Sequence, residues 1–590
     1  HGKFRRQRQM CIRDRATGDG YIVGIAIATD KWSGYLPIRH ENGGNLEEEI
    51  VLRWLKRTFE NHKGTMVFHN ALYDVGWLKR EGVELTCPLR DTMFAAPLFD
   101  ENRWSYSLNN LGMDFLAESK DETLLETAAK AWGVNPKGGM WALPAKYVGP
   151  YAEQDAVLTL KLWKIFKSRI EIEGLQKIYD LECDLIPLLI EMRWRGVRID
   201  TDRAEQTATE MSKKEQQLLV EIKRRFGVSV DIWASASIQK AFDTNDLWYP
   251  HTEKGAPSFQ GPWLESHEHD LPKMIVEARR INKARTTFIE GAILEYSHNG
   301  RIHAEAHPLK NDGGGTVTGR FSYSNPNLQQ VPARDPEIGK MIRSLFIPEE
   351  GATWGAFDYS QQEPRITVHY ASLLGLEGAT DAVKAYSTEG ADFHQIVADM
   401  AGIPRKQAKN INLGLTYGMG QQKLIRELGL EPDEALKLLE TYHRRVPFIR
   451  GLQSRCTRIA EQRGCITTLG GRKCHFDLWE SVGYLHDEKQ APLPLQEAKD
   501  KYGDNLKRSF TYKALNKLIQ GSAADMTKLA MRDLWKEGLV PHIQIHDELD
   551  YSIFNKEQAE IVIDRMVNCV KMRVPLVVDY ESGSNWGEAE

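Results

Sequence analysis

The chain lacks any stretch apolar enough, for long enough, to cross a membrane as a helix. A span needs about 18 consecutive apolar residues, and the longest strand-like apolar run, residues 21–29, is far shorter. The N-terminus also lacks the apolar core of a secretory signal. Cysteine is scarce. Seven occur in 590 residues, none in a Cys-x-x-Cys pair, and the odd number argues against a disulfide framework or a zinc ribbon and for a reducing cytoplasm. No excess of positive charge is present: the net charge is −5, so a nucleic-acid site has to be a local basic cluster. Glycine and proline, 47 and 24, are too few for a collagen-like or low-complexity chain. There is no internal repeat, and no Gly-x-x-x-x-Gly-Lys-Ser/Thr loop to cradle a phosphate. What remains is 41% hydrophobic and 27% charged, a globular composition. At roughly 150 residues per domain the length predicts about four domains.

Residues 1–20 are arginine-rich without apolar periodicity and read as an arm, a foreign junction or a truncation scar. From residue 21 strands and helices alternate. An apolar strand covers 21–29, and Leu46, Ile50, Val51, Trp54, Leu55 and Phe59 recur at helical spacing. A short strand follows at 66–69, and a helix starts near Asn70. This is an α/β domain over 21–170. Residues 200–300 differ in kind: one long helix spans 204–226 and stops at Gly227, and a second opens at Pro272 and runs to about residue 296. Arg279 and Lys283 share a face of the second helix, with Arg280 and Arg285 alongside. The plain reading of that face is a solvated surface.

Three constellations follow. In the first, an apolar strand delivers Asp358, followed by Tyr359, Ser360, Gln361, Gln362, Glu363, Pro364 and Arg365. Pro364 is expected to push Glu363 out of helical geometry and to open the next helix at its first turn. In the second, Ile543 and Ile545 alternate with polar neighbours up to His546, Asp547 and Glu548, with Asp547 and Glu548 at a hairpin tip. In the third, Arg405, Lys409, Leu413 and Tyr417 are spaced by four and line one helical face between Pro404 and Gly418. That face can grip phosphates at one end and stack an aromatic base near the other. Taken singly, these are a strand-end turn, a hairpin turn and a solvated lysine. Together they complement one another. Two carboxylates about 4 Å apart repel by roughly 4 kcal/mol at an effective dielectric near 20, which a cation between them resolves. Mg²⁺ accepts a few carboxylates plus phosphate oxygens, and a pair of such ions serves phosphoryl transfer.

These residues resemble the family A, polymerase-I-like DNA polymerases, of the phage type, over nearly the whole chain from residue 21. Asp358-Tyr359-Ser360-Gln361-x-Glu363-x-Arg365 is similar to motif A, Arg405-x3-Lys409-x7-Tyr417-Gly418 to motif B, and His546-Asp547-Glu548 to motif C. Supporting signatures lie between them: Thr318-Gly319-Arg320, Asn325-Pro326-Asn327-Leu328-Gln329, Asp392-Phe393-His394 and Asn516-x3-Gln520-Gly521-x-Ala523-Ala524-Asp525. The resemblance implies an α/β and α+β multidomain fold. An RNase H-like 3′–5′ exonuclease domain over 21–170 precedes a right hand: connecting helix and thumb over 171–310, palm over 311–375 and 511–590, and fingers over 376–510.

The resemblance also implies roles. Asp358, Asp547 and Glu548 are the catalytic acids. Asp358, Asp547 and the carbonyl of Tyr359 hold two Mg²⁺ ions, with Mn²⁺ as a substitute. Arg405, Lys409, Leu413, His394 and Gln361 meet the incoming dNTP, and Tyr417 with Glu363 excludes a ribose hydroxyl. Arg320, Gln329, Asn516, Gln520 and His546 hold the primer–template end, with Arg279 and Lys283 on the duplex phosphates. Partners are primer–template DNA and dNTPs, the chain acts as a monomer without membrane attachment in the host cytoplasm, and accessory proteins stay unnamed. The Gly-Ser-Asn-Trp run ending at Trp586 is similar to the family's usual ending, so the chain is expected to be complete there, and its start leaves no room for a 5′-nuclease domain.

The chain departs from the family pattern at several positions. Gln362 and Pro364 stand where many relatives carry Ile and Leu, a phage-type variant. Leu413 replaces a Phe or Tyr and, lacking a hydroxyl, predicts discrimination against dideoxynucleotides. Asn70-x3-Asp74 and Tyr151-x3-Asp155 are similar to the second and third exonuclease motifs, each pair on one helical face. The first, an Asp-x-Glu on the opening strand, is absent: residues 1–20 offer only Asp14 and Asp19, neither in that pattern. Proofreading is therefore expected to be negligible. Three other readings compete: a single-subunit RNA polymerase, opposed by Glu363; a silent primer–template binding protein, opposed by the intact Asp358 and Asp547; and a pure exonuclease, opposed by the missing motif.

Overall fold

The computed structural model describes residues 20–589 apart from 334, 389, 417–420, 429–430 and 484–490. The opening apolar run forms a strand only over Gly24–Ala28, paired antiparallel with Ser33–Pro37. Met66–Phe68 lies parallel to Leu89–Asp91. Helix Glu48–Glu60 turns Val51 and Leu55 inward and leaves Ile50 and Trp54 exposed, and Leu46 falls before it, so only part of the predicted apolar stripe is core. The 28-residue helix Ala145–Ile172 carries Phe166 into a cluster with Phe99 and Phe115, ring centroids 5.2 and 5.0 Å away. This core continues through Leu175, Ile178 and Tyr179 to Leu309 and Leu529, which joins the N-terminal region to the C-terminal one.

Helix Thr201–Phe226 ends at Gly227 in the left-handed conformation (φ 71°) and packs beside helix Asp270–Lys283. Phe242, Phe259, Leu264 and Ile275 give this lobe its own core. The second helix differs from expectation. Pro272 falls at its third position, and from Ala284 to Leu294 the turn widens to a π-helix. Widening re-aims side chains, and Arg285 now sits between Glu215 (3.0 Å) and Glu290 (2.7 Å).

The C-terminal part is built on an antiparallel sheet of four strands in the order Ile543–Ile545, Glu548–Ile553, Thr353–Tyr359, Val578–Gly583. Both faces of the sheet are covered, so Phe357, Leu549 and Tyr551 on one face and Trp354 on the other are all buried. Trp586 closes the edge of this core, stacked on Trp354 at 5.9 Å. Helices Gln362–Leu373, Ala514–Lys536 and Lys556–Asn568 pack around the sheet. Helices Phe393–Ala401, Arg405–Thr416, Pro432–Arg445 and Pro447–Arg463 form a region with a separate core around Phe393, Val397, Tyr442 and Phe448. Among the described residues no helix is long and apolar enough to cross a membrane.

Candidate active site

The central strand runs one residue past Asp358, and in register Asp358 faces Glu548 on one side and Asp579 on the other. The neighbouring hairpin turns through two residues, His546 and Asp547, with His546 left-handed at φ 54°. That turn brings the Asp547 carbonyl to the Tyr359 amide, which donates to it at 3.3 Å. Two acids distant in sequence thus meet at the sheet end. One oxygen of Asp358, Oδ1, is buried without a hydrogen-bond partner. Burial, then Asp547, Glu548 and Asp579, push the Asp358 carboxyl up to about 8. Burial also pushes Asp547 up to about 6, against the pull of Arg320. A cation bound between them would favour the charged forms of both.

The donor set fits a hard divalent ion. Two carboxylates at one sheet end would leave further positions to water and substrate phosphate, as Mg²⁺ prefers. Glu548 is differently occupied: the Trp586 indole donates to it at 3.3 Å. Asp550, two residues on and on the same strand face, accepts from Trp354 Nε1 at 2.9 Å, and burial with the Glu548 charge holds its carboxyl well above the usual range. The Tyr359 side chain points into the core, its hydroxyl donating to the Met566 carbonyl at 2.8 Å.

Several predicted contacts are arranged otherwise. Glu363 stays helical within Gln362–Leu373, because a proline in the first turn displaces no intrahelical hydrogen bond. Its carboxylate pairs with Arg320, whose charge also acts on Asp547 and His546. Gln361, left-handed at φ 55°, bonds Ala391 O at 3.2 Å and the Phe393 amide at 2.5 Å, so its side chain ties the sheet to the fingers-like helices rather than facing Asp358. Arg405 pairs with Asp392 at 2.8 Å, and Asp392 also caps helix Phe393–Ala401 through His394 N. The His394 ring is buried against Asn412 at 3.1 Å, and burial lowers its pKa. Lys409 is exposed on the same helix as Leu413, while Tyr417 lies outside the described residues.

Arg279 does not face solvent as the duplex contact predicted. Its guanidinium donates to the carbonyls of Ile232 (2.6 Å) and Phe259 (3.0 Å) and lies over Trp233, so it braces its own lobe. Lys283 is exposed. Asn516 and Gln520 sit one turn apart, half-buried, on Ala514–Lys536, and Gln329 reaches the Gln544 carbonyl at 3.4 Å.

Residues 201–588 match the family described as DNA polymerase family A, and residues 13–171 match a 3′–5′ exonuclease family. The chain belongs to the family A DNA polymerases. It is a DNA-directed DNA polymerase, a nucleotidyltransferase, and enzymes of this family are metal-dependent. A DNA-directed DNA polymerase of Pseudomonas phage M6 is 37% identical over 97% of this chain and 90% of its own length. DNA polymerase DpoZ of Acinetobacter phage SH-Ab 15497 is 30% identical over 97% and 94%. The polymerase domain of Pol1 from M. smegmatis, solved in complex with DNA primer-template and dNTP, shares the fold at TM-score 0.73 and 23% identity, covering 95% of this chain and 92% of that one.

In this polymerase the exonuclease motifs also converge. Asn70 is left-handed (φ 75°) at the start of helix Ala71–Arg80. Asp74 is pushed up to about 7 by burial and by Asp91 and Asp155. Asp91, which the sequence reading missed, accepts from the amides of Ala71 (2.6 Å) and Met93 (2.7 Å). An Asp immediately before a Thr-led helix was the available sign, as an N-cap. Lys120 was missed too. It pairs with Asp155 at 2.7 Å and lies over the Tyr151 ring at 5.0 Å, so a side chain already neutralises the acid suited to a metal. Asp14 and Asp19 lie outside the described residues.

Proposed function

We propose that the polymerase extends a primer 3′-OH with dNTPs at Asp358 and Asp547, in the service of phage DNA replication or repair. The observation that carries this is the meeting of two largely buried carboxylates, Asp358 near the end of the central strand and Asp547 in the adjoining hairpin turn, the former with an unpartnered oxygen. Asp358, Asp547 and the Tyr359 carbonyl are the groups that would hold two Mg²⁺ ions, or Mn²⁺ in their place, which would supply Lewis-acid activation of the 3′-OH and charge neutralisation at the phosphates. The chain's own part is positioning and countercharge. Lys409 and Arg405 meet the triphosphate; Arg405 exchanges its exposed pairing with Asp392 for phosphate oxygens, and Asp392 keeps its amide donors. His394, neutral because buried, offers its second ring nitrogen. Glu363 closes the space beside the sugar 2′-carbon. Arg320, His546, Asn516, Gln520 and Gln329 line the primer–template end.

Proofreading is weak in this reading, because Lys120 already pairs with Asp155, the acid of the third exonuclease motif. Primer extension on matched and mismatched primers, with Mg²⁺ and with EDTA, tests both sites. Asp358→Asn and Asp547→Asn should each abolish extension and leave duplex binding intact. Extension by either variant at the parent rate would remove the assignment.

A further inference from the structure

Away from both acidic sites, four charged side chains are sealed inside the molecule. Glu182, Asp525 and Lys528 are fully buried and Arg472 nearly so. Arg472 bridges Glu182 and Asp525, the latter through Nη2 at 2.8 Å and Nε at 3.0 Å. Lys528 donates to both oxygens of Glu182 (2.7 and 2.9 Å) and to the Pro308 carbonyl (2.6 Å). The Thr468 hydroxyl and the Gly470 amide complete Asp525. Two cations and two anions balance. A buried ion cluster is weak evidence of stability, because desolvation offsets most of the attraction; fully satisfied, it fixes geometry.

Three backbones lie against this cluster where a side chain has no room. A Cβ on Gly319 would come within 2.5 Å of Arg472 Nε, one on Gly470 within 2.7 Å of Asp525, and one on Gly521 within 2.7 Å of Thr468. Gly319 is also left-handed, at φ 82°, which favours glycine. The next residue is Arg320, which pairs with Glu363 beside Asp547 and His546. The Arg472 guanidinium is thus the floor of the turn that presents Arg320. Arg472, Asp525 and Lys528 belong to the matched polymerase region, but Glu182 does not. It sits on helix Gln176–Asp184, between the regions matched at 13–171 and 201–588.

We propose that Glu182 is a positioning residue for nucleotide incorporation: the connector between the two domains supplies the anion that holds Arg472 against Gly319 and so sets Arg320 at the primer terminus. This rests on the reading of Arg320 given above. The test is a double-mutant cycle on the full chain with Glu182→Gln, Arg320→Ala and both, measured as single-turnover incorporation rate and dNTP affinity, with thermal unfolding in parallel. Glu182→Gln should lower the incorporation rate roughly tenfold, with little change in dNTP affinity, and should cost less than about twofold more in the Arg320→Ala background. Glu182→Asp should recover part of the loss. Should Glu182→Gln unfold, the charge-balanced pair Glu182→Gln with Lys528→Met takes its place in the same cycle and should show the same dependence on Arg320. Equal losses in both backgrounds, or no loss at all, overturn the coupling alone. An Arg320→Ala variant that incorporates at the parent rate overturns the reading of Arg320 and this proposal with it.

Discussion

Replacing Asp358 by Asn should make the metal-free polymerase more stable while ending its catalysis. The carboxyl stands at about 8 against an ordinary 3.8, held there by burial and by Asp547, Glu548 and Asp579. A raised acid favours the protonated form in the folded state, so its contribution to stability is complete below about pH 4 and is lost as pH rises toward 8. At pH 7 that amounts to roughly three pKa units at 1.36 kcal/mol each, or about 4 kcal/mol, and discounting by half for solvent screening leaves about 2 kcal/mol. Asparagine fills nearly the same space without the charge. In EDTA at pH 7, Asp358→Asn should therefore raise the Tm of the polymerase transition by a few degrees. The gain should vanish near pH 4. It should also shrink in excess Mg²⁺, because an ion at 100 times its Kd adds about 2.7 kcal/mol to the parent protein alone. Differential scanning calorimetry with and without divalent ion, across pH 4–8, reads all three effects. A variant no more stable than the parent in EDTA refutes the electrostatic account of the site.

Other substitutions separate the remaining roles. Glu363→Ala frees Arg320 and opens the sugar side of the site, so ribonucleotide incorporation should rise at least about tenfold relative to deoxynucleotides; unchanged discrimination refutes the gate. The parent chain should discriminate against dideoxynucleotides, and Leu413→Tyr should relax this; equal use of both substrates by the parent refutes the reading of Leu413. Arg279→Ala should lower stability by about 2 kcal/mol, through two lost carbonyl bonds and an uncovered Trp233, with an unchanged salt slope of DNA binding. Lys283→Ala should do the reverse, leaving Tm alone and reducing the salt slope by about one. Finally, 3′ trimming of a mismatched primer should be negligible beside extension; rapid trimming contradicts the neutralised Asp155.

Much of the site was legible from residue type and spacing, because strands and hairpin turns impose local geometry. An apolar strand ending in Asp358, and alternation up to Asp547, place each acid at a sheet end whatever the rest of the chain does. The helical spacing of Arg405, Lys409 and Leu413 likewise needs only 3.6 residues per turn. Spacing could not tell which charges remain available. Arg279 reads as a surface cation, yet the carbonyls of Ile232 and Phe259 absorb it, and Gln361 is taken up by the chain at Ala391 and Phe393. Sequence alone determined the strand, turn and helix that bear the motifs, and with them the resemblance to the family. Tertiary structure decided the pairings, Arg320 with Glu363, Lys120 with Asp155, and Glu182 with Arg472 and Lys528, because a charge commits to whichever opposite charge the fold buries beside it, and that partner can lie hundreds of positions away.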